Sequence, residues 1–215
     1  MADKYAAKEA AEKAARQHAP SSKKPRGANP KAAAKPIVLI AGLGNPGAEY
    51  AQSRHNSGFQ VVDLLSQRWG AGYWKQQLGS LACEAAIEGA QVVLAKPQSY
   101  MNVCGGPVAK LLAQLKAAPE QLLVVHDMLD IPAGTVKYKL DGGLDGHNGL
   151  RSIAAKLKTR DFKRMQVGIG RPPGRMDPGV FVLKQLKGKD WQAQQDVVAL
   201  AADEIERVLR EQAAK

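Results

Sequence analysis

The pattern of hydrophobic and polar positions divides the chain near residue 36. Before it, Ala, Lys, Pro and Ser dominate, and Tyr5 is the only large hydrophobe besides Met1. Such a stretch cannot bury enough apolar surface to offset the entropy of ordering it, so residues 1–35 read as a disordered basic extension. From residue 36 the pattern alternates between short apolar runs and helical spacing. Pro36 to Ala41 is an apolar run, and Phe59, Val61, Val62, Leu64, Leu65 and Trp69 then fall on one helical face. Leu81–Ile87 and Val92–Ala95, parted by Glu88-Gly89, predict a hairpin. A helix is expected over Val108–Leu115, and a central buried strand over Leu122–Val125 that ends in His126-Asp127. Val136, Tyr138 and Leu140 alternate with Lys137 and Lys139, which puts both lysines on one strand face. Leu150, Ile153, Ala154 and Leu157 predict another helix, Met165–Ile169 a last strand, Arg171–Gly179 a mobile loop and Asp190–Ala214 a closing helix. Strands alternating with helices predict one α/β domain over residues 36–215, with a twisted, mixed but mostly parallel sheet flanked by helices, of the phosphorylase/hydrolase-like kind.

Charge adds a class of partner. Of the net +11, residues 1–36 carry +6, with nine Lys/Arg against three Asp/Glu. The folded part is therefore only moderately basic, enough to make an RNA partner plausible. Apolar runs fall short of the roughly 20 residues that span a bilayer, and the N-terminus lacks the apolar core of a secretory signal. Cys83 and Cys104 sit in no metal or redox spacing, which points to a reducing, cytoplasmic setting.

Candidate chemistry gathers where strands end. Gly42-Leu43-Gly44-Asn45-Pro46-Gly47 follows the first strand and fits G-x-G-x-x-G. A dinucleotide site, however, needs a helix to start inside the glycine turn, and Ala48 to Gly58 has no apolar period. Eight residues after Gly47 comes His55, between Arg54 and Asn56, where an apolar burial role makes little sense. The four histidines show no metal-ligand spacing, so neither a metal nor another cofactor is expected. His126-Asp127 ends a strand, so one side chain faces the site and the other faces away. His147 in the loop Asp141–Gly149 fits simple turn chemistry. Asn45, Asn102 and Asn148 each sit on a strand-end loop and offer amide donors and acceptors. One base, one carboxylate and three amides suit acyl transfer to water. There is no G-x-S-x-G elbow, and Cys104 alone leaves a covalent nucleophile open.

Gly42–Gly47, Tyr50 with Arg54-His55-Asn56, Lys96-Pro97, Tyr100-Met101-Asn102, His126-Asp127 with Leu129-Asp130, and Gly146–Leu150 together resemble the bacterial-type peptidyl-tRNA hydrolases. The resemblance runs from about Ile37 to the C-terminal helix. It implies a monomeric α/β enzyme that cleaves the ester between a peptide and its tRNA. It further implies that His55 is the general base, that Asp127 orients it, and that Asn45 distinguishes N-blocked aminoacyl groups. Tyr50, Tyr100, Asn102 and Asn148, with Met101 in the same turn, are implied to meet the peptide and the tRNA 3′ end. Lys137 and Lys139 are implied to meet tRNA phosphate. Ser53, Met128, Cys104 and Gln166 stand where the family often has Thr, Glu, Ser and Arg. The competing expectation is an RNA-binding relative of the same fold that does no hydrolysis.

Overall fold

The structure is a computed structural model that describes residues 35–87 and 89–214. The extension expected over residues 1–35 therefore lies, except for Lys35, outside the described residues. Among the described residues seven strands form one sheet: β1 (Leu39–Gly42), β2 (Lys75–Gln77), β3 (Ser80–Ile87), β4 (Ala90–Pro97), β5 (Leu122–Met128), β6 (Val136–Lys139) and β7 (Lys163–Gly168). Their order is β2-β3-β4-β1-β5-β7-β6. The four central strands β4, β1, β5 and β7 run parallel, and the pairings at both flanks, β2-β3-β4 and β7-β6, are antiparallel. The helices are α1 (Ser57–Arg68), α2 (Gly105–Gln114), α3 (Asn148–Leu157), α4 (Pro178–Leu183) and α5 (Gly188–Ala213).

Strand alternation sorts the core into two layers. Ile40, Leu123, Val125, Met165 and Val167 pack beneath α1 and α5. Leu39, Ala41, Leu122 and Val124 pack beneath α2 and α3 on the opposite face. Both faces of β5 are covered, which explains its continuous apolar run.

Three elements depart from the expectations. β5 runs one residue past the expected strand end at Asp127, to Met128, and His126 and Asp127 are ladder residues opposite Gln166 and Val167 of β7. β2 is short, polar and largely exposed, and so carries no apolar alternation to read. Within and beyond the expected mobile loop, Asp177 accepts a 3.0 Å hydrogen bond from the Val180 N–H and caps α4, whose first residue is Pro178.

The glycine-rich turn after β1 serves packing. A Cβ on Gly42 would lie 2.2 Å from the Gly58 carbonyl oxygen, and one on Gly58 would lie 2.2 Å from the Leu43 nitrogen. This double close approach lets α1 press on the end of β1, and its first residue is Ser57, ten residues past the turn. Asp63, at about the distance after Gly42 where a dinucleotide site would have its ribose-binding acid, instead lies within α1 and pairs with Lys96.

Candidate active site

The parallel strands end at a cleft of about 680 Å³. Ligands of open α/β sheets bind at this edge. Asp127, at the end of β5, is almost wholly buried and aims one carboxylate oxygen at two histidines. His55 Nδ1 lies 2.9 Å from Oδ1 and His147 Nε2 lies 3.1 Å from the same atom. The two rings stand 5.2 Å apart.

Each histidine comes from its own loop. His55 sits in the 3₁₀ turn Arg54–Asn56, immediately before α1. That segment is stapled to the chain after α4: Leu186 donates to the Gln52 carbonyl at 2.9 Å, and the Gln185 side chain donates to the Glu49 carbonyl at 2.7 Å. The Arg54 guanidinium stacks 4.2 Å over the Phe181 ring of α4. His147 is the N-cap of α3, and its Nδ1 accepts from the backbone N–H of Gly149 at 3.1 Å and of Leu150 at 3.4 Å.

These bonds fix the tautomers. An Nδ1 that accepts from two backbone N–H groups has no proton of its own, so neutral His147 carries its proton on Nε2 and donates it to Asp127. His55 donates from Nδ1 to the same oxygen, which leaves its Nε2 lone pair for the cleft. Burial alone would lower the His55 pKa, but the charge of Asp127 and the hydrogen bond to it hold His55 above the ordinary histidine value. Burial alone would raise Asp127, but His55 and His147 hold it well below the usual carboxylate range. His55, Asp127 and His147 present ligand atoms within 4.8 Å of one another, close enough to consider a metal. A cation on His147 Nε2 would displace its proton and leave an imidazolate, because Nδ1 is already committed to N–H donors. The trio fits a hydrogen-bonded relay better than a ligand set.

Asn45 is held just as firmly. Its Oδ1 accepts from the Met101 N–H at 2.8 Å, while Asn56 grips its backbone with bonds of 2.9 Å to both its N–H and its carbonyl. With Oδ1 engaged, the Asn45 amide N–H groups are its remaining polar handle. Tyr50, Tyr100, Met101, Asn102 and Asn148 all line the same cleft. Tyr100 is more than half exposed, and Met101 is buried. The apolar wall opposite comes from Val182 and Leu183 of α4. Lys137 and Lys139 lie apart, on the edge strand β6, with Lys137 exposed.

Cys104 does not supply a nucleophile. It is 1% exposed in the core under α2 and α3, and burial pushes its thiol up to about 12. Two residues of the site carry roles that their local sequence does not announce. His147 gave only a turn signal, because its second nitrogen's partner lies 20 residues away. Asn56 figured only as a neighbour of His55 in the matched motif, because a buried Asn in a loop looks like any surface Asn and its grip on Asn45 lies 11 residues away.

The residues matched by a known family now have a geometry to be judged against. A family model described as Peptidyl-tRNA hydrolase matches residues 39–215. The chain belongs to the peptidyl-tRNA hydrolase family. A peptidyl-tRNA hydrolase from Frankia casuarinae is 49% identical over 171 residues, covering 80% of this chain and 87% of the relative. Another from Nocardia farcinica is 47% identical over 174 residues, with 80% and 90% covered. The crystal structure of peptidyl-tRNA hydrolase from Acinetobacter baumannii is 34% identical and superposes with a TM-score of 0.70, over 83% of this chain and 95% of that one. The peptidyl-tRNA hydrolase fold thus extends over nearly all the described residues. Among those residues, no helix is long and apolar enough to cross a membrane.

Proposed function

We propose that this chain hydrolyses the ester joining a peptide, or an N-blocked aminoacyl group, to the 3′ ribose of tRNA. The observation that carries the reading is His55: Nδ1–H on a buried carboxylate, Nε2 facing the cleft. In this mechanism Nε2 removes a proton from water as the water attacks the ester carbonyl. Asp127 stabilises the imidazolium that results and holds the ring in the working tautomer. The Asn45 amide, its oxygen already fixed by Met101, donates to a carbonyl of the substrate. The protonated His55 then returns its proton to the departing ribose oxygen. Water, a base and carbonyl stabilisation suffice for an activated ester.

In the same reading Tyr50, Tyr100, Asn102 and Asn148 contact the peptide and the 3′ end, with Met101 as the apolar floor. Lys137 and Lys139 meet acceptor-stem phosphates, each as a point charge. The enzyme acts as a monomer in the cytoplasm, and the free, buried thiols of Cys83 and Cys104 accord with a reducing compartment.

The test is peptide release from N-acetyl-aminoacyl-tRNA by the full chain. Turnover with tRNA freed intact is expected. A chain that binds tRNA and releases nothing would overturn the reading in favour of an RNA-binding relative.

A further inference from the structure

Directly behind the carboxylate lies a third histidine that the relay does not use. His126 is fully buried, and its ring packs edge-on against His147 with centroids 4.8 Å apart. Its Nδ1 lies 2.7 Å from the backbone carbonyl oxygen of Asp127. A carbonyl can only accept, so Nδ1 carries the proton and Nε2 is a bare lone pair.

The need for this bond follows from where β1 stops. The Val125 carbonyl accepts from the Leu43 N–H at 2.9 Å, and the register between β1 and β5 ends at Gly42 opposite Val125. Two residues on, the Asp127 carbonyl faces the same side, where β1 has already left the sheet for the turn at 42–47. The strand supplies no donor there. A buried carbonyl without a donor costs about 1–3 kcal/mol, and the peptide that aims the carboxylate would be loose. His126 replaces the missing ladder bond.

His126 Nε2 and Gln166 Nε2 are both buried and without a hydrogen-bond partner among the described residues. The two residues are direct neighbours in the register of β5 and β7, on the face that also carries Arg164. One atom is a bare acceptor and the other an amide donor. Adjacent strands lie about 4.8 Å apart, so the two side chains are neighbours even though no direct bond joins these atoms.

We propose that His126 is a positioning residue for Asp127, its Nδ1–H replacing the missing strand bond. This deepens the hydrolase reading and rests on it for the consequence, which is the aim of Asp127 at His55. The charged and titratable groups around His126 are Asp127, His147 and Arg164; burial first, then His147 and Arg164, pull its pKa down to about 3, against Asp127. It stays neutral throughout the working range. Gln, where the family often has Arg, keeps a neutral donor beside it.

Two conservative variants separate positioning from packing. In His126→Asn the amide nitrogen sits close to the Nδ1 position and can still serve the Asp127 carbonyl. In His126→Gln the amide sits near the Nε2 position and cannot. His126→Asn is expected within about threefold of wild type, and His126→Gln about 10–100-fold down in kcat with KM little changed. His55, followed by NMR, should titrate lower in His126→Gln than in wild type or His126→Asn. Equal behaviour of the two variants would overturn the proposal. Imidazole nitrogen shifts in the wild-type chain give a check that needs no variant. They should show His126 protonated at Nδ1 and bare at Nε2 from pH 5 to 9, and an Nε2–H tautomer would refute the assignment even if both variants failed to fold. These shifts read the network without any activity, so failure of the hydrolase reading would be seen separately, as an inactive wild type with the expected His126 tautomer.

Discussion

The loop that carries His55 and the loop that carries His147 deliver the same residue type to the same oxygen of Asp127, and the two histidines end with opposite jobs. His55 has one nitrogen on the carboxylate and one facing the cleft, with its side chain 13% exposed. His147 has both nitrogens committed, one to Asp127 and one to the N-terminus of α3, with its side chain 6% exposed. A reagent needs a free lone pair, and a strut needs none. The difference is made by backbone. The segment after β1 gives His55 a 3₁₀ turn that offers its ring no second hydrogen-bond partner among the described residues, whereas His147 sits where a helix presents unsatisfied N–H groups. One carboxylate thereby holds a base and is itself held.

The comparison is broken most severely at His55. His55→Ala should lower kcat for N-acetyl-aminoacyl-tRNA hydrolysis by roughly 10²–10⁴ with tRNA binding intact. Activity near wild type would mean that the base is elsewhere, and His147 would be the next residue to test. Asp127→Asn comes next, with an expected loss of about 10²–10³, because both histidines lose their acceptor charge together. The pH profile sharpens the point. His55 must be unprotonated to act and its pKa is raised, so kcat/KM should rise with pH through a midpoint above the ordinary 6.5 or so. In Asp127→Asn the raising charge is gone while burial remains, so the residual activity should have its midpoint below that of wild type. A midpoint unchanged by Asp127→Asn would show that the carboxylate does not set the basicity of His55.

How much of this was legible beforehand differs between the same two loops. His55 stood out because a charged and amide-flanked histidine after a strand-end turn has no burial role, and Asp127 because it closes an apolar run. The layered fold followed from the apolar periods, and the failed dinucleotide motif from the missing helix start; Gly42 and Gly58 then proved to be contact points between backbone segments. His147 was hidden because helix capping explains a histidine in a turn completely, and nothing local announces a second bond. Gln166 stands where the family often has Arg, and nothing in the sequence shows that it is 1% exposed. Alternation shows which face of a strand a residue occupies, but not whether a helix lies over that face. β2 and α4 were missed because neither has a hydrophobic period long enough to count.

Replacing His147 separates its two bonds. His147→Asn keeps a good N-cap but loses the reach of Nε2 to Asp127, so stability should hold while kcat falls about tenfold. His147→Ala loses both, and should add a stability cost of about 1 kcal/mol for the lost cap, read as a lower Tm or denaturant midpoint. If His147→Asn turned over normally, the strut would be only a helix cap.

The smallest effect should come from a change that touches neither histidine. Lys137 and Lys139 share one face of β6, outside the cleft. Their replacement by Ala leaves the Asp127 network alone, so kcat at saturating substrate should not move. If each lysine neutralises one phosphate, each Ala should raise KM several-fold at low salt, and the log–log slope of tRNA affinity against salt should fall by about one per lysine. Binding would then weaken alike for every tRNA, since a phosphate contact carries no base identity. A drop in kcat with an unchanged salt slope would join β6 to the catalytic network and dissolve the separation between the two loops and the strand edge.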